Sequence, residues 1–262
     1  MVKESSIIFF DIDGTLLTEG DKLLPPSTKD AIFQLKKLGH EVAIATGRAP
    51  FMFEDIRKEL EIDTYVCYNG QYVVYKGKVI YANPLKASSL EELTQFALDR
   101  DHPIVFMNHE SMKANVPEDH EYIQESINSL KSVHYPTHDP AFYKGREIYQ
   151  ALLFNTAGEE KQYEKAFEDF QFVRWHDKSV DILPANGSKA NGINKLLAYT
   201  DYPDEKQYAF GDGLNDIEML TEVQNSVAMG NGQPEAKAAA RYITKSVNND
   251  GILHGLKMVG LL

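Results

Sequence analysis

The sequence predicts an α/β fold, with a Rossmann-like three-layer core around a parallel sheet and an inserted α+β module. Two observations predict it. In the first and last thirds of the chain, short apolar strands alternate with amphipathic helices, and such alternation produces a parallel sheet with helices on both faces. The middle third is richer in Tyr, His and charge and mixes helices with short strands. We therefore expect it to form a second module inserted into the first.

The first third contains two strand–helix–strand units. Its apolar run 7–10 (Ile-Ile-Phe-Phe) is typical of a central parallel strand that is buried on both faces. A helix closed by Gly39 follows this strand. The elements predicted after that helix are a strand at 41–45, a helix at about 50–60, a strand at about 64–68 and a hairpin at 73–81 with its turn at Lys76-Gly77.

The alternation returns after residue 183. The elements predicted there are a helix at 190–199, a strand at 207–210, a helix at 215–221, a strand at 226–229 and a helix at 234–240. The middle module is predicted to contain helices at about 88–100, 118–131 and 159–169. The sequence thus predicts a core domain formed by residues 1–84 and 184–262, and an inserted domain formed by residues 85–183.

Composition excludes several classes of protein. With 27 Lys and Arg against 39 Asp and Glu, the formal net charge is −12, which argues against a nucleic-acid-binding role. The one cysteine, Cys67, leaves no disulfide framework or cysteine zinc site. The apolar run near the N-terminus, at 7–10, is too short for a signal-peptide core or a membrane span, so we expect a cytoplasmic protein without a membrane partner.

Two carboxylates follow the first strand directly. Asp11 and Asp13, two residues apart at a buried strand tip, can point to the same side, and Gly14 permits the sharp turn behind them. A solvated Asp-rich turn is the alternative interpretation. The apolar strand before Asp11 disfavours it, because an uncompensated carboxylate at that place is costly.

Two further clusters could bind an anion. Thr46 and Gly47 offer a hydroxyl and backbone N–H groups at a strand–helix junction, which suits phosphate oxygens. Lys189 precedes a predicted helix and could supply the positive charge that the overall composition lacks. Taken singly, Thr46 could equally be a helix cap and Lys189 a surface lysine.

The fourth cluster carries Asp212, Asn215 and Asp216 after another apolar strand. The third glycine of a dinucleotide-binding fingerprint is missing, which argues against a nucleotide cofactor. Together with Asp11 and Asp13, these carboxylates form an oxygen-rich set of the kind that Mg²⁺ prefers, and the set does not suit zinc.

The four clusters in this order resemble the motifs of the haloacid dehalogenase superfamily of phosphohydrolases. They are Asp-x-Asp-Gly-Thr, Thr-Gly-Arg, a lysine, and Gly-Asp-Gly-x-Asn-Asp. The long insertion between the second and third motifs is similar to the type IIB cap of the Cof-type subfamily. One departure is visible: Ala190 follows the lysine where the family usually has Gly, and Gly192 comes two residues later.

The resemblance implies a function and a role for each motif residue. The implied activity is a Mg²⁺-dependent phosphatase for small phosphorylated metabolites, with Asp11 as the nucleophile and Asp13 as the general acid and base. The residues implied to bind phosphate are Thr46, Gly47, Lys189 and Asn215. The residues implied to hold or support the metal ion are Asp11, Asp13 (through its backbone carbonyl), Asp212 and Asp216.

The resemblance also implies that the inserted cap reads the leaving group. The polar and aromatic residues that could contact a sugar or a nucleobase are Asn108, His109, Tyr143, Arg146, Tyr149, Trp175 and His176. Each could equally be an ordinary surface or core residue.

Two other functions remain open from the sequence. A phosphomutase would share the nucleophile and the metal, but it would return the phosphoryl group to a reoriented sugar. A phosphometabolite-binding regulator would keep the fold without catalysis, although a mere binder gains little from the second carboxylate of the first motif.

Overall fold

The computed structural model describes residues 5–117, 120–130 and 135–262, and these residues divide into two compact units. The first unit contains the chain up to Gly47, Asp55–Tyr81 and Ser188–Leu262. The second contains Arg48–Glu54 and Ala82–Gly187. The predicted α/β fold class is confirmed.

The elements follow the chain in three stretches. The first stretch contains β1 (Ile7–Phe10), α1 (Pro26–Lys37), β2 (Glu41–Ala45), α2 (Glu54–Glu59), β3 (Thr64–Cys67), β4 (Tyr72–Tyr75) and β5 (Lys78–Ala82). The second contains α3 (Ala87–Leu98), β6 (Ile104–Met107), β7 (Met112–Ala114), α4 (Glu121–Ser129), β8 (Thr137–His138), β9 (Gln150–Phe154), α5 (Lys161–Ala166), β10 (Phe170–His176) and β11 (Ser179–Pro184). The third contains α6 (Lys189–Thr200), β12 (Gln207–Gly211), α7 (Ile217–Glu222), β13 (Asn225–Ala228), α8 (Pro234–Ala239), β14 (Tyr242–Ile243) and α9 (Gly251–Met258).

The sheet of the first unit has β1 near its centre. Within the described residues its eight strands run in the order β14-β13-β12-β1-β2-β3-β4-β5. The strands from β14 to β3 pair in parallel, and β4 joins β3 antiparallel. All four β1 residues are buried, as the apolar run predicted for a strand that is covered on both faces.

Helices cover both faces of this sheet. Ile193 and Leu196 of α6 pack in one apolar cluster with Ile7 and Phe9 of β1. Phe210 points to the opposite face, because side chains alternate along a strand, and Gly255 of α9 lies so close that a Cβ there would be 2.6 Å from the Phe210 ring.

The predicted hairpin is present between β4 and β5. Its turn residues Lys76 and Gly77 have φ values of 48° and 76°. A two-residue turn with positive φ at both positions matches the twist of the strands that it connects. The turn predicted at Lys76-Gly77 is therefore confirmed.

Several predicted helices are shorter in the structure. The helix predicted at about 50–60 is a 3₁₀ turn at Pro50–Met52 followed by α2, because Phe53 leaves the helical conformation. The helix predicted at 159–169 ends at Ala166, because Phe167 leaves the helical conformation. Of the helix predicted at 118–131, the structure shows α4, while residues 118, 119 and 131 lie outside the described residues.

The second unit has a sheet and an apolar core of its own. Within the described residues six strands run in the order β10-β11-β9-β6-β7-β8. Side chains from α3 and α5 pack on one face of the sheet, where Phe106, Leu153 and Ile182 belong to the same cluster as Leu93 and Tyr163.

A membrane-spanning helix needs about 20 apolar residues. None of the helices in the described part of the chain combines that length with sufficient apolarity.

Candidate active site

The carboxyl ends of neighbouring strands bring the motif residues to one edge of the first sheet. Phe10 of β1 pairs with Ile44 of β2 on one side and with Phe210 of β12 on the other. Asp11 therefore leaves β1 beside the ends of both neighbours, and its N–H donates to the Phe210 carbonyl at 3.0 Å. Ligands bind at this edge in open parallel sheets.

Lys189 lies between two buried carboxylates. Its Nζ is 2.5 Å from Asp11 Oδ1 and 2.6 Å from Asp216 Oδ1, and its side chain is fully buried. Ser188 caps α6 by accepting a hydrogen bond from the Asn191 N–H at 3.2 Å, so Lys189 is the first residue of the helix. The alternative interpretation of Lys189 as a surface lysine is wrong.

Both carboxylate oxygens of Asp216 accept hydrogen bonds. Its Oδ1 accepts from Lys189, and its Oδ2 accepts from the N–H groups of Asp212 and Gly213, each at 2.9 Å. Gly211 makes room for this carboxylate, because a Cβ there would be 2.7 Å from the Asp216 carboxyl carbon. Asp216 thus holds both the lysine and the loop that carries Asp212.

Asp212 is fixed by the first motif. The Thr15 hydroxyl donates to Asp212 Oδ1 at 2.7 Å. Gly14, with φ of +80°, faces the same carboxylate so closely that a Cβ would overlap it. The Asn231 amide donates to the Gly14 carbonyl at 2.9 Å and holds this turn from the other side.

Asp13 is more exposed than Asp11. Its side chain is 38% exposed, and its Oδ1 lies 2.7 Å from Lys22 Nζ. The Asp11 side chain is 9% exposed, so Asp13 can exchange protons with solvent more readily than Asp11 can.

Burial controls the charge of these groups. Burial raises the pKa of the Asp11 carboxyl well above its ordinary value; the Lys189 ammonium opposes this shift, and the nearby carboxylates reinforce it. Burial likewise raises the pKa of Asp212 to about 6, with the Thr15 hydrogen bond opposing. For Lys189, burial acts to lower the pKa, but Asp11 and Asp216 outweigh it and the pKa is raised.

The donor set fits a hard divalent cation. Carboxylate oxygens of Asp11, Asp212 and Asp216 lie within 4.8 Å of one another, and oxygen ligands are those that Mg²⁺ prefers. Lys189 pairs with Asp11 and Asp216, and Lys22 pairs with Asp13. A divalent cation bound among these carboxyl groups would offset the repulsion between them.

The predicted phosphate-binding residues of the second and fourth motifs contact Asn69, which lies in the Tyr68-Asn69-Gly70 stretch of the family resemblance but for which the sequence indicated no role. The Thr46 carbonyl accepts from the Asn69 N–H at 3.2 Å, and Asn69 Oδ1 accepts from Asn215 Nδ2 at 3.3 Å. Gly47 lies against the same carboxamide, which a Cβ on Gly47 would approach to 3.1 Å.

The departure from the family pattern after Lys189 has a packing explanation. Ala190 is accommodated in a buried position of α6. The glycine that α6 requires is Gly192, where a Cβ would lie 2.5 Å from Val66 Cγ1 and 2.6 Å from the Gly70 Cα. The two glycines allow α6 to approach the turn after β3.

The other supporting residues, Thr15, Lys22 and Asn231, had only weak sequence signals. Thr15 is part of the first motif and Asn231 lies in a Gly-Asn-Gly stretch, but no spacing rule indicates what their side chains contact. Lys22 has φ of 55°, and nothing in the sequence of its loop predicts this left-handed conformation. These contacts depend on tertiary structure.

Several polar candidates of the second unit make structural contacts. Asn108 Oδ1 accepts from two backbone N–H groups of its own turn. The Tyr149 hydroxyl donates to Glu147 at 2.7 Å, and Arg146 donates to the Phe142 carbonyl. Tyr143 packs against the apolar core of the unit.

Residues 8–256 match the family described as haloacid dehalogenase-like hydrolase. The chain belongs to this family. The resemblance seen in the four motifs is thereby confirmed, and the chain is an enzyme, a phosphatase of the haloacid dehalogenase type.

Similar proteins span the same length. YkrA of Bacillus subtilis (strain 168), whose name contains the word phosphatase, is 47% identical over 259 residues, with 99% of each chain covered. A crystal structure of a protein from Geobacillus kaustophilus HTA426 has a TM-score of 0.94 and 51% identity, covering 98% of this chain and 100% of that one. The subclass IIB sugar phosphatase BT4131 has a TM-score of 0.84 and 27% identity, over 98% of this chain and 100% of its own.

Proposed function

We propose that the chain is a Mg²⁺-dependent hydrolase of small phosphomonoesters, including sugar phosphates, that forms an aspartyl-phosphate on Asp11. The observation that carries this proposal is the Asp11 carboxylate at the end of β1, held at 2.5 Å by the buried ammonium of Lys189. A carboxylate in that setting is shielded from water, and it has a fixed cation beside it.

The reaction divides into two displacements. An Asp11 oxygen attacks phosphorus, the bond to the leaving oxygen breaks, and Asp13 donates a proton to that oxygen. Asp13, now ionised, takes a proton from water as the water attacks the phosphorus, which releases phosphate and restores Asp11. Lys189, Thr46, Gly47 and Asn215 contact the phosphoryl oxygens and stabilise their charge.

The ion would be held by Asp11, the carbonyl of Asp13 and Asp212. When bound, Mg²⁺ neutralises the charge between the carboxylates and the anionic phosphate. Because both oxygens of Asp216 already accept hydrogen bonds, we assign Asp216 to the support of Lys189 and of the Asp212 loop.

Substrate selection is assigned to the inserted residues 85–183. BT4131 is named as a sugar phosphatase, and at 27% identity this supports the class of small phosphorylated metabolites rather than one compound. A screen of phosphorylated metabolites with phosphate detection would identify the preferred leaving group.

The test of the proposed function compares wild type with Asp11→Asn. Wild type is expected to release phosphate from an aryl phosphate, to lose activity with EDTA and to regain it with Mg²⁺. Asp11→Asn is expected to be inactive and folded. Near wild-type turnover by Asp11→Asn with Mg²⁺ would refute the mechanism, and slow phosphate release with rapid transfer between sugar positions would favour the phosphomutase.

A further inference from the structure

The turn after β3 has an unusual backbone. Tyr68, Asn69 and Gly70 all have positive φ, at 53°, 48° and 94°. Glycine adopts this region readily and asparagine tolerates it, but for a bulky residue it is strained. Tyr68 is nevertheless there, with its side chain fully buried. Such strain persists only where the surroundings impose it, and it concentrates at functional sites.

The backbone of this turn sets the orientation of a neighbouring peptide group. The Asn69 N–H donates to the Thr46 carbonyl at 3.2 Å. In a trans peptide the carbonyl and the following N–H point in opposite directions, so the Gly47 N–H points away from Asn69. That N–H donates to no acceptor among the described residues and is available to an anion.

The side chain of Asn69 holds a second group. Its Oδ1 accepts from Asn215 Nδ2 at 3.3 Å, and its carboxamide lies so close to Gly47 that a Cβ there would be 3.1 Å from it. Asn69 therefore contacts both the Thr46–Gly47 peptide group of the second motif and the Asn215 amide of the fourth.

We propose that Asn69 is a positioning residue, which orients the Asn215 amide and the Gly47 N–H toward the same phosphoryl group. This inference rests on the proposed function, because both groups are assigned there to phosphate. The left-handed backbone of the turn places the Asn69 N–H against the Thr46 carbonyl and the Asn69 carboxamide against Asn215. Tyr68 adopts its strained conformation in the same turn.

The experiment is a double-mutant cycle of Asn69→Gly and Asn215→Ala, read by steady-state hydrolysis of an aryl phosphate with Mg²⁺. Glycine accepts the left-handed backbone, keeps the N–H to Thr46 and removes only the carboxamide. Asp201→Gly is the matched control, because Asp201 is exposed, has φ of 58° and lies at the far end of α6.

Asn69→Gly is expected to lower kcat by about tenfold to a hundredfold, with KM changed less and with the thermal midpoint shifted no more than in Asp201→Gly. Since Asn69 acts through Asn215, the double variant is expected to be no more than about twofold slower than Asn215→Ala alone. The assignment would be overturned if the fold-losses in kcat of the two single variants multiplied in the double variant, or if Asn69→Gly kept the wild-type kcat.

A second readout separates this inference from the proposed function. The Asn215 side-chain amide is followed by NMR while inorganic phosphate is added in the presence of Mg²⁺. If wild type binds phosphate but does not hydrolyse esters, and binding weakens in Asn69→Gly, only the proposed function fails. Equal phosphate binding by wild type and Asn69→Gly would overturn the role of Asn69.

Discussion

The buried ammonium of Lys189 carries much of the electrostatics of the site. Its side chain has no exposed surface, and both of its partners, Asp11 and Asp216, are buried. Removing one member of such a buried set leaves the others uncompensated, and this costs more than a surface ion pair contributes.

Lys189→Met is expected to lower the free energy of unfolding by about 3–5 kcal/mol, because two carboxylates then stay buried without their cation. It is also expected to abolish phosphatase activity. Urea unfolding in EDTA measures the first effect, with Lys195→Met, an exposed position of the same helix, as a control that changes by less than about 0.5 kcal/mol. A loss below about 1 kcal/mol for Lys189→Met would contradict the charge balance described for the site.

At the residue scale, the motifs predicted which side chains lie together at the edge of the sheet but not which residues hold them there. Asp11 and Asp212 could be found because a carboxylate directly after an apolar strand is unusual. Thr15 and Asn69 could not, because their partners are about 200 and 150 residues away in sequence and their hydrogen bonds exist only once the sheet has formed. The catalytic roles of the motif residues stay predictions.

At the scale of elements, β11 contains a polar residue within an apolar pattern. Val180 and Ile182 point into the core of the second unit, so Asp181 points to the opposite face of the sheet. Burial raises the pKa of Asp181 to about 7, and a hydrogen bond from Gln150 opposes the shift.

This shift makes stability depend on pH. Between the ordinary value of 3.8 and about 7, the folded chain holds the Asp181 proton more tightly than the unfolded chain, so unfolding becomes easier as pH rises through this range. Asp181→Asn removes the penalty. At pH 8 (about one unit above the raised pKa) it is expected to be more stable than wild type by about 1–2 kcal/mol, less than the whole shift would give because the side chain is partly exposed.

The measurement is urea unfolding of wild type and Asp181→Asn from about pH 4 to 8. The gain in stability should grow from near zero at the acidic end. Asp177→Asn, in the exposed turn before β11, is the matched control. A gain that is independent of pH would show that Asp181 does not titrate in this range.

The periodicity of the sequence predicted elements better than it predicted their ends. The strand positions from β1 to β4 followed from short apolar runs, because burial on both faces leaves a clear pattern. The start of α2 and the end of α5 did not follow from the sequence pattern. Phe53, which is buried, and Phe167, which packs against the core of the second unit, leave the helical conformation there. The C-terminal helix α9 was not predicted, although its apolar face packs on Phe210.

At the scale of the whole molecule, the net charge of −12 explains why the site must supply its own cations. Lys189 provides one buried charge, and the carboxylate cluster is suited to hold another. Composition alone could predict that the site requires positive charge, but not that Lys189 supplies it, because burial of a lysine depends on the fold. The domain boundaries at 84 and 184, the role of residues 85–183 and the cytoplasmic location stay predictions.

The central claim is that Asp11 becomes phosphorylated during turnover. The most direct measurement is rapid acid quench of the intact enzyme with Mg²⁺ and a phosphomonoester, followed by borohydride reduction and mass mapping of the peptide that contains residue 11. We expect a phosphate adduct that reduction converts to homoserine at position 11, absent in Asp11→Asn. Rapid turnover in which the intact chain never carries phosphate, or an adduct at another residue, would contradict the account.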